Sequence, residues 1–175
     1  MSSAAPALST LLSTGAIRIG ARAADWREAV RAAGEALVTS GATTSAYTDE
    51  MIATVEELGP YIVIAPGIAL AHSRPSPAVL HPGMSLVTLA KPVEFGHRQN
   101  DPVRLVVALA ASDEEGHVTA LSTLADFLSD EARQTALLTA TDPDAVRRLI
   151  TTFEREQEAD MSSALAEGKG MVDRT

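Results

Sequence analysis

The chain has 175 residues, 14 lysines and arginines against 23 aspartates and glutamates, a net charge of −9 at neutral pH, and no cysteine. The length suits one compact domain, and the missing cysteine excludes a disulfide framework, cysteine-ligated zinc and a thiol nucleophile together. The acidic balance and the 3% of aromatic residues argue against nucleic acid, which is held by lysine and arginine and stacked on aromatic rings.

Residues 1–12 have neither a basic start nor a continuous apolar core, so no secretory signal is expected and the reading is a cytoplasmic protein. The longest apolar stretch, 61–71, is broken by Pro66 and Gly67 and is too short to insert into a membrane. The first twenty residues show little pattern beyond Ile17-Arg18-Ile19. Asp25 then stands three before Glu28, the spacing of a capping box. Trp26, Ala29, Val30, Ala33 and Leu37 recur at helical spacing behind it, with Gly41 to close the helix. A second helix is predicted over 46–58, with Met51, Ile52, Val55 and Leu58 on one face and Gly59-Pro60 as its stop.

The period then changes. Residues 61–64 (YIVI) read as a short strand between Gly-Pro and Pro-Gly, and 84–90 as another after the His81-Pro82-Gly83 turn. Residues 103–111 (VRLVVALAA) are nearly all apolar, as in a strand covered on both faces. Ser112 and Glu115 offer a second capping box before Val118, Leu121, Leu124, Ala125 and Leu128. Asp130 caps a short helix, and Asp142-Pro143 sets an N-cap and first-turn proline before Val146, Leu149, Ile150 and Phe153. The order predicts an α/β domain over residues 1–157, a mixed β-sheet flanked by helices. Residues 158–175 lose the periodicity, contain Gly168 and Gly170, and read as a flexible C-terminal tail.

With no thiol, the chemistry falls to His72, His81, His97 and His117, whose separations of 9, 16 and 20 residues match no zinc-site spacing. His72 ends the apolar segment 66–71 and is followed by Ser73 and Arg74; its neighbours Ala69, Ala71 and Ser73 are small, leaving space around the ring. Arg74 is the only basic side chain between Arg31 and Lys91. An imidazole beside a hydroxyl and a guanidinium suits phosphoryl transfer, where positioning and charge stabilisation do most of the work. A solvent-facing histidine at a strand end fits the same residues. His117 falls in the first turn of the helix after 103–111, where free amides favour anions and a neutral imidazole, and a plain helix-start histidine is again the alternative. His81 and His97 sit in turns and receive no function. Phosphate-cradling glycine loops and nucleophile elbows are absent.

The run Gly59-Pro60-Tyr61-Ile62-Val63-Ile64-Ala65-Pro66-Gly67-Ile68-Ala69-Leu70-Ala71-His72-Ser73-Arg74-Pro75 resembles the active-site segment of bacterial phosphotransferase-system (PTS) enzyme IIA proteins of the mannitol/fructose superfamily. The segments Ser85–Phe95, Asn100-Asp101-Pro102-Val103 and Gly116-His117 agree with it, as does Asp25–Val30 with the family's first helix. The likeness covers roughly residues 8–153 and is greatest to the ascorbate-specific branch. It implies the mannitol/fructose-type fold, with helices on both faces of a mixed sheet. It further implies that His72 takes a phosphoryl group from the histidine-containing phosphocarrier protein (HPr) and passes it to a cysteine of enzyme IIB, which serves the membrane enzyme IIC. His117 would support the phosphorylated ring. From their place beside His72, Ser73 and Arg74 are expected to bind the phosphate, and no cofactor or metal is expected to take part.

Two features depart from the family pattern. Ala71 stands where many relatives have proline, and the arginine that the mannitol and fructose branches carry in the preceding helix is missing, since no Arg or Lys occurs from Ala32 to Ser73. Arg74 is expected to compensate. Partners are expected to dock on a shallow, partly apolar surface around His72 supplied by Ile68, Leu70 and their neighbours. Two other functions compete: a regulatory module of the same fold, phosphorylated at His72, and a histidine-based metal hydrolase.

Overall fold

In the computed structural model, which describes residues 7–170, the apolar runs of the chain pair into one five-stranded sheet. Its strands are β1 (Leu12–Ala21), β2 (Val63–Ala65), β3 (Ile68–His72), β4 (Gly83–Val93) and β5 (Val103–Ala110), in the spatial order β1-β4-β5-β3-β2. β1 and β4 are parallel, as are β3 and β5, whereas β4 with β5 and β2 with β3 are antiparallel. Helices α1 (Leu8–Leu11), α2 (Trp26–Thr39), α3 (Ser45–Leu58), α4 (Glu114–Leu128), α5 (Glu131–Thr139) and α6 (Pro143–Gly170) cover both faces. The mixed, two-sided α/β architecture is the one expected.

Side-chain alternation along β3 and β5 sorts the core into two layers. Ile68, Leu70, Leu105, Val107 and Leu109 face α1, α4, α5 and α6, and pack with Leu124, Phe127, Leu128, Val146, Ile150 and Phe153. Ala69, Ala71, Val106, Ala108 and Ala110 face α2 and α3. The smaller residues on that side let the two helices lie close to the sheet and to each other. Gly34 marks the tightest point: a methyl group there would come within 2.2 Å of the Thr48 hydroxyl oxygen. The Ser85 hydroxyl, fully buried on β4, donates to the Ala33 carbonyl at 2.7 Å and ties α2 to the sheet.

Asp25 caps α2 as read, while Glu28 closes on the amide before the cap instead of on that of Asp25. Asp25 Oδ1 accepts from the Glu28 amide at 2.9 Å, and Glu28 reaches back to the Ala24 amide at 2.6 Å. Asp130 and Asp142 cap α5 and α6 by accepting from the amides of Ala132 and Ala145.

Several expectations need correction. Leu58, set on the apolar face of α3, is 63% exposed, and Tyr61 and Ile62, within the run read as a strand, form a turn before β2. The N-terminal segment holds α1 and the ten-residue strand β1, not a patternless stretch. β1 is an edge strand with Ser13, Thr14 and Gly15 exposed, so it lacks the apolar run that marks a buried strand. The cap of α4 is Asp113, one residue after Ser112, with Oδ1 accepting from the Gly116 amide at 2.6 Å. On α4 the buried residues are Ala120, Leu124, Phe127 and Leu128, while Val118 and Ala125 are exposed. Finally, α6 continues through residues 158–170 instead of ending near 157. Alanine and glutamate recur there and favour a helix, and no side chain from 158 to 166 is buried; residues 171–175 lie outside the described residues. Among the described residues no helix is long and apolar enough to cross a membrane.

Candidate functional site

The alternation that sends Ile68 and Leu70 towards α4 sends His72 the same way, two residues further along β3. There its ring meets that of His117, with centroids 5.3 Å apart and planes tilted by 49°. The two histidines, 45 positions apart in the chain, come together because β3 and β5 are parallel neighbours, with His72 opposite Leu109, and because α4 starts just past the end of β5.

His72 is half-buried, and its Nδ1 lies 2.8 Å from the Leu70 carbonyl oxygen. A carbonyl only accepts, so Nδ1 carries the ring proton and the lone pair is left on Nε2. This local bond follows from strand geometry, since residues 70 and 72 share a face. The Tyr61 ring, in the turn before β2, stands edge-on to His72 at 5.6 Å and 84°.

His117 sits in the first turn of α4, where the Asp113 side chain and backbone carbonyl take the amides of Gly116 and His117. The ring is half-buried, and its Nδ1 is buried with no hydrogen-bond partner. Burial makes this imidazole harder to protonate than the ordinary one at 6.5, and the neighbouring His72 acts in the same direction. The helix N-terminus also disfavours a cation there. His117 is therefore neutral at pH 7.

Ser73 and Arg74 have different surroundings. The Ser73 amide donates to the Tyr47 hydroxyl at 3.0 Å, and its own hydroxyl lies 3.3 Å from Thr54 Oγ1, which itself donates to the Glu50 carbonyl. The Tyr47 hydroxyl also lies 3.3 Å from the Ser73 carbonyl, so the amide, carbonyl and hydroxyl of Ser73 all meet α3. Arg74 is exposed, directly after this anchored residue, and makes no ion pair among the described residues. Ile68 and Leu70 are only 2% and 3% exposed, which corrects the expected docking surface; Tyr61, against the His72 ring, and Val118, next to His117 in the chain, are among the exposed apolar side chains, at 40% and 64%.

Of the remaining histidines, His97 braces the fold. His97 Nδ1 accepts from the amides of Gln99 and Asn100, and the Asp101 carboxylate accepts from those of Phe95, Gly96 and His97. Asn100 in turn donates to the Val63 carbonyl and accepts from the Gly67 amide, so the β4–β5 connection braces the β2–β3 turn. His81 is exposed. Among the described residues no three His, Asp or Glu side chains converge as a metal site would require.

Tyr47 and Tyr61 are the site residues that the motifs did not single out. Tyr61 falls within a run that reads as a strand, and Tyr47 within the predicted helix 46–58 but outside its named apolar face; the contacts of both depend on the strand pairing.

Against known proteins, residues 10–152 match the family described as the phosphoenolpyruvate-dependent sugar phosphotransferase system, EIIA 2. The chain is 40% identical over 124 residues to the ascorbate-specific PTS system EIIA component of Salmonella typhimurium, covering 70% of this chain and 80% of the relative. Its fold is similar to that of the mannitol-specific cryptic phosphotransferase enzyme IIA of Escherichia coli, with a TM-score of 0.74, 30% identity, and 83% and 98% of the two chains covered. It is also similar to enzyme IIA mannitol in its complex with phosphorylated enzyme IIB mannitol from E. coli, with a TM-score of 0.72, 30% identity, and 81% and 99% covered.

Proposed function

This chain belongs to the EIIA 2 family of the phosphoenolpyruvate-dependent sugar phosphotransferase system, and from that premise we propose that His72 is the residue on which it carries the phosphoryl group. The observation that carries the reading is the paired histidines: an imidazole with Nδ1 held by the Leu70 carbonyl, and a second, neutral imidazole 5.3 Å away at the start of α4.

The His72 Nε2 lone pair attacks the phosphorus of phosphohistidine on HPr, in line with the departing nitrogen. A P–N bond forms at Nε2 as the donor's P–N bond breaks, and the donor imidazole keeps the bonding pair. Positive charge gained by the His72 ring is shared with Nδ1–H, whose bond to Leu70 strengthens as the charge develops. Bare buried N–H groups are rarer than bare acceptors, so His117 places its proton on Nε2 and leaves the orphaned Nδ1 unprotonated. Nε2–H is then a donor for a phosphoryl oxygen, beside the first-turn amides of α4.

Of the two residues proposed to bind phosphate, Arg74 is the cationic partner and Ser73 the anchor that fixes it. Replacing Arg74 by alanine is expected to slow phosphorylation or shorten the life of the phosphohistidine about tenfold, as loss of one charged hydrogen bond would. No change in either quantity would remove it from the site.

The phosphoryl group next moves to a cysteine of enzyme IIB, which restores the His72 lone pair. None of these 175 residues is a cysteine, so the acceptor lies outside them. The E. coli complex of enzyme IIA with phosphorylated enzyme IIB supports this partner, and the ascorbate-specific relatives favour ascorbate as the sugar finally taken up through enzyme IIC. This chemistry belongs in the cytoplasm, where phosphoenolpyruvate is made. Incubation with phosphoenolpyruvate, enzyme I and HPr should add one acid-labile phosphoryl group, seen by mass spectrometry, and none to His72→Ala. An unlabelled wild type or a fully labelled His72→Ala would contradict the assignment.

A further inference from the structure

We infer that Tyr47 is a positioning residue for phosphoryl transfer, its buried hydroxyl joining the ends of β3 and β5 and so setting the separation of His72 and His117. The inference rests on the phosphocarrier reading for its functional meaning and on hydrogen bonding alone for its geometry.

The ladder between β3 and β5 shows what the hydroxyl does. The Leu105 amide donates to the Gly67 carbonyl, and the register pairs His72 with Leu109. In a parallel ladder this alternation makes Leu105, Val107 and Leu109 the residues whose amide and carbonyl both bond across to β3. Continued one step past His72, it would send the Ser73 amide to the Leu109 carbonyl. The Tyr47 hydroxyl stands in that rung, accepting from the Ser73 amide at 3.0 Å and donating to the Leu109 carbonyl at 2.7 Å, the nearer of its two acceptors, with the Ser73 carbonyl at 3.3 Å. One end of the bridge is the residue after His72. The other lies at the end of the strand that leads into α4 and His117.

Tyr47 is fully buried in the first turn of α3, and burial pushes its phenol up to about 12, so the donated proton stays in place at any physiological pH. The Ser73–Thr54 contact adds a second tie from α3 to the same segment. α3 carries no residue assigned to the chemistry, yet it holds the backbone on both sides of the histidine pair.

The test compares Tyr47→Phe, which keeps the ring, with Ser85→Ala, which removes another buried hydroxyl bond on the side of the sheet away from the histidines. Three readouts are followed: phosphoryl transfer from HPr, the His117 titration midpoint by NMR, and exchange of the Ser73 amide. Tyr47→Phe is expected to slow transfer about 10- to 100-fold, the cost of a small misplacement at a reacting pair, to move the His117 midpoint towards 6.5, and to speed Ser73 exchange at least tenfold. Ser85→Ala should change none of these. Unchanged His117 titration and Ser73 exchange in Tyr47→Phe, or equal slowing of transfer in both variants, would overturn the inference. If Tyr47→Phe does not fold, wild-type Ser73 exchange decides: a protected amide supports the bridge, and exchange at the open-chain rate overturns it. A wild type that accepts no phosphoryl group would defeat the phosphocarrier reading, while titration and exchange would still judge the bridge.

Discussion

At His117, burial and the neighbouring His72 both oppose protonation, and the consequence for stability has a definite sign. Well above pH 6.5 the residue is neutral whether the chain is folded or not, and there it adds no pH dependence. As the pH falls below 6.5 the unfolded chain binds the proton first, so folding stability declines until the lower folded-state midpoint is passed. Urea melts between pH 8 and 5 should therefore show a shallower loss for His117→Asn than for the wild type; equal slopes would remove the effect. In transfer assays the same variant should be slower by about 100-fold, as when one donor to a developing anion is lost. His72 and His117 could be picked out in the sequence because each carries a local signal, an apolar run ending in His-Ser-Arg and a helix start. Tyr47 carries none: an aromatic residue within a helix reads as core, and its bond to Leu109 spans 62 positions.

The element that matters most is α4, since its first turn presents His117. Asp113 caps it, and Gly116 makes room for the cap: a methyl group at that position would approach Asp113 Oδ1 to 3.0 Å. Asp113→Ala should cost about 0.5–2 kcal/mol of stability, measured by chemical denaturation. Because the frayed turn is the one holding His117, it should also slow phosphoryl transfer, whereas Asp142→Ala at the start of α6 should lower stability alone. The sequence placed this helix but set its cap at Ser112, because two adjacent residues can both cap and only the loop geometry selects between them. β5 was legible for the opposite reason: both of its faces are covered, so its sequence is apolar almost throughout. β1, an edge strand of mixed polarity, left no comparable pattern.

For the whole molecule, the two layers of core and the site are complete by Phe153, beyond which no side chain through residue 166 is buried. The matched family region ends at 152. We propose residues 1–157 as the working domain, with the remainder of α6 a helical extension whose side chains are exposed through residue 166. Truncation after Gln157 retains the Glu154 carboxylate that accepts from the Ser9 amide and hydroxyl, and is expected to shift the melting temperature by no more than about 2 °C and to leave phosphorylation intact. A larger drop would assign the extension a structural role. Its helicity was not legible because the expectation leaned on apolar periodicity, whereas local propensity favours a helix without it.

The central claim concerns one nitrogen atom. Long-range NMR correlations on 15N-labelled protein, phosphorylated through phosphoenolpyruvate, enzyme I and HPr, identify the ring nitrogen bonded to phosphorus. The Leu70 carbonyl holds Nδ1 of His72, so phosphorus is predicted on Nε2 of His72 with Nδ1 still protonated. Phosphorus on Nδ1, or on any other residue, would contradict the account.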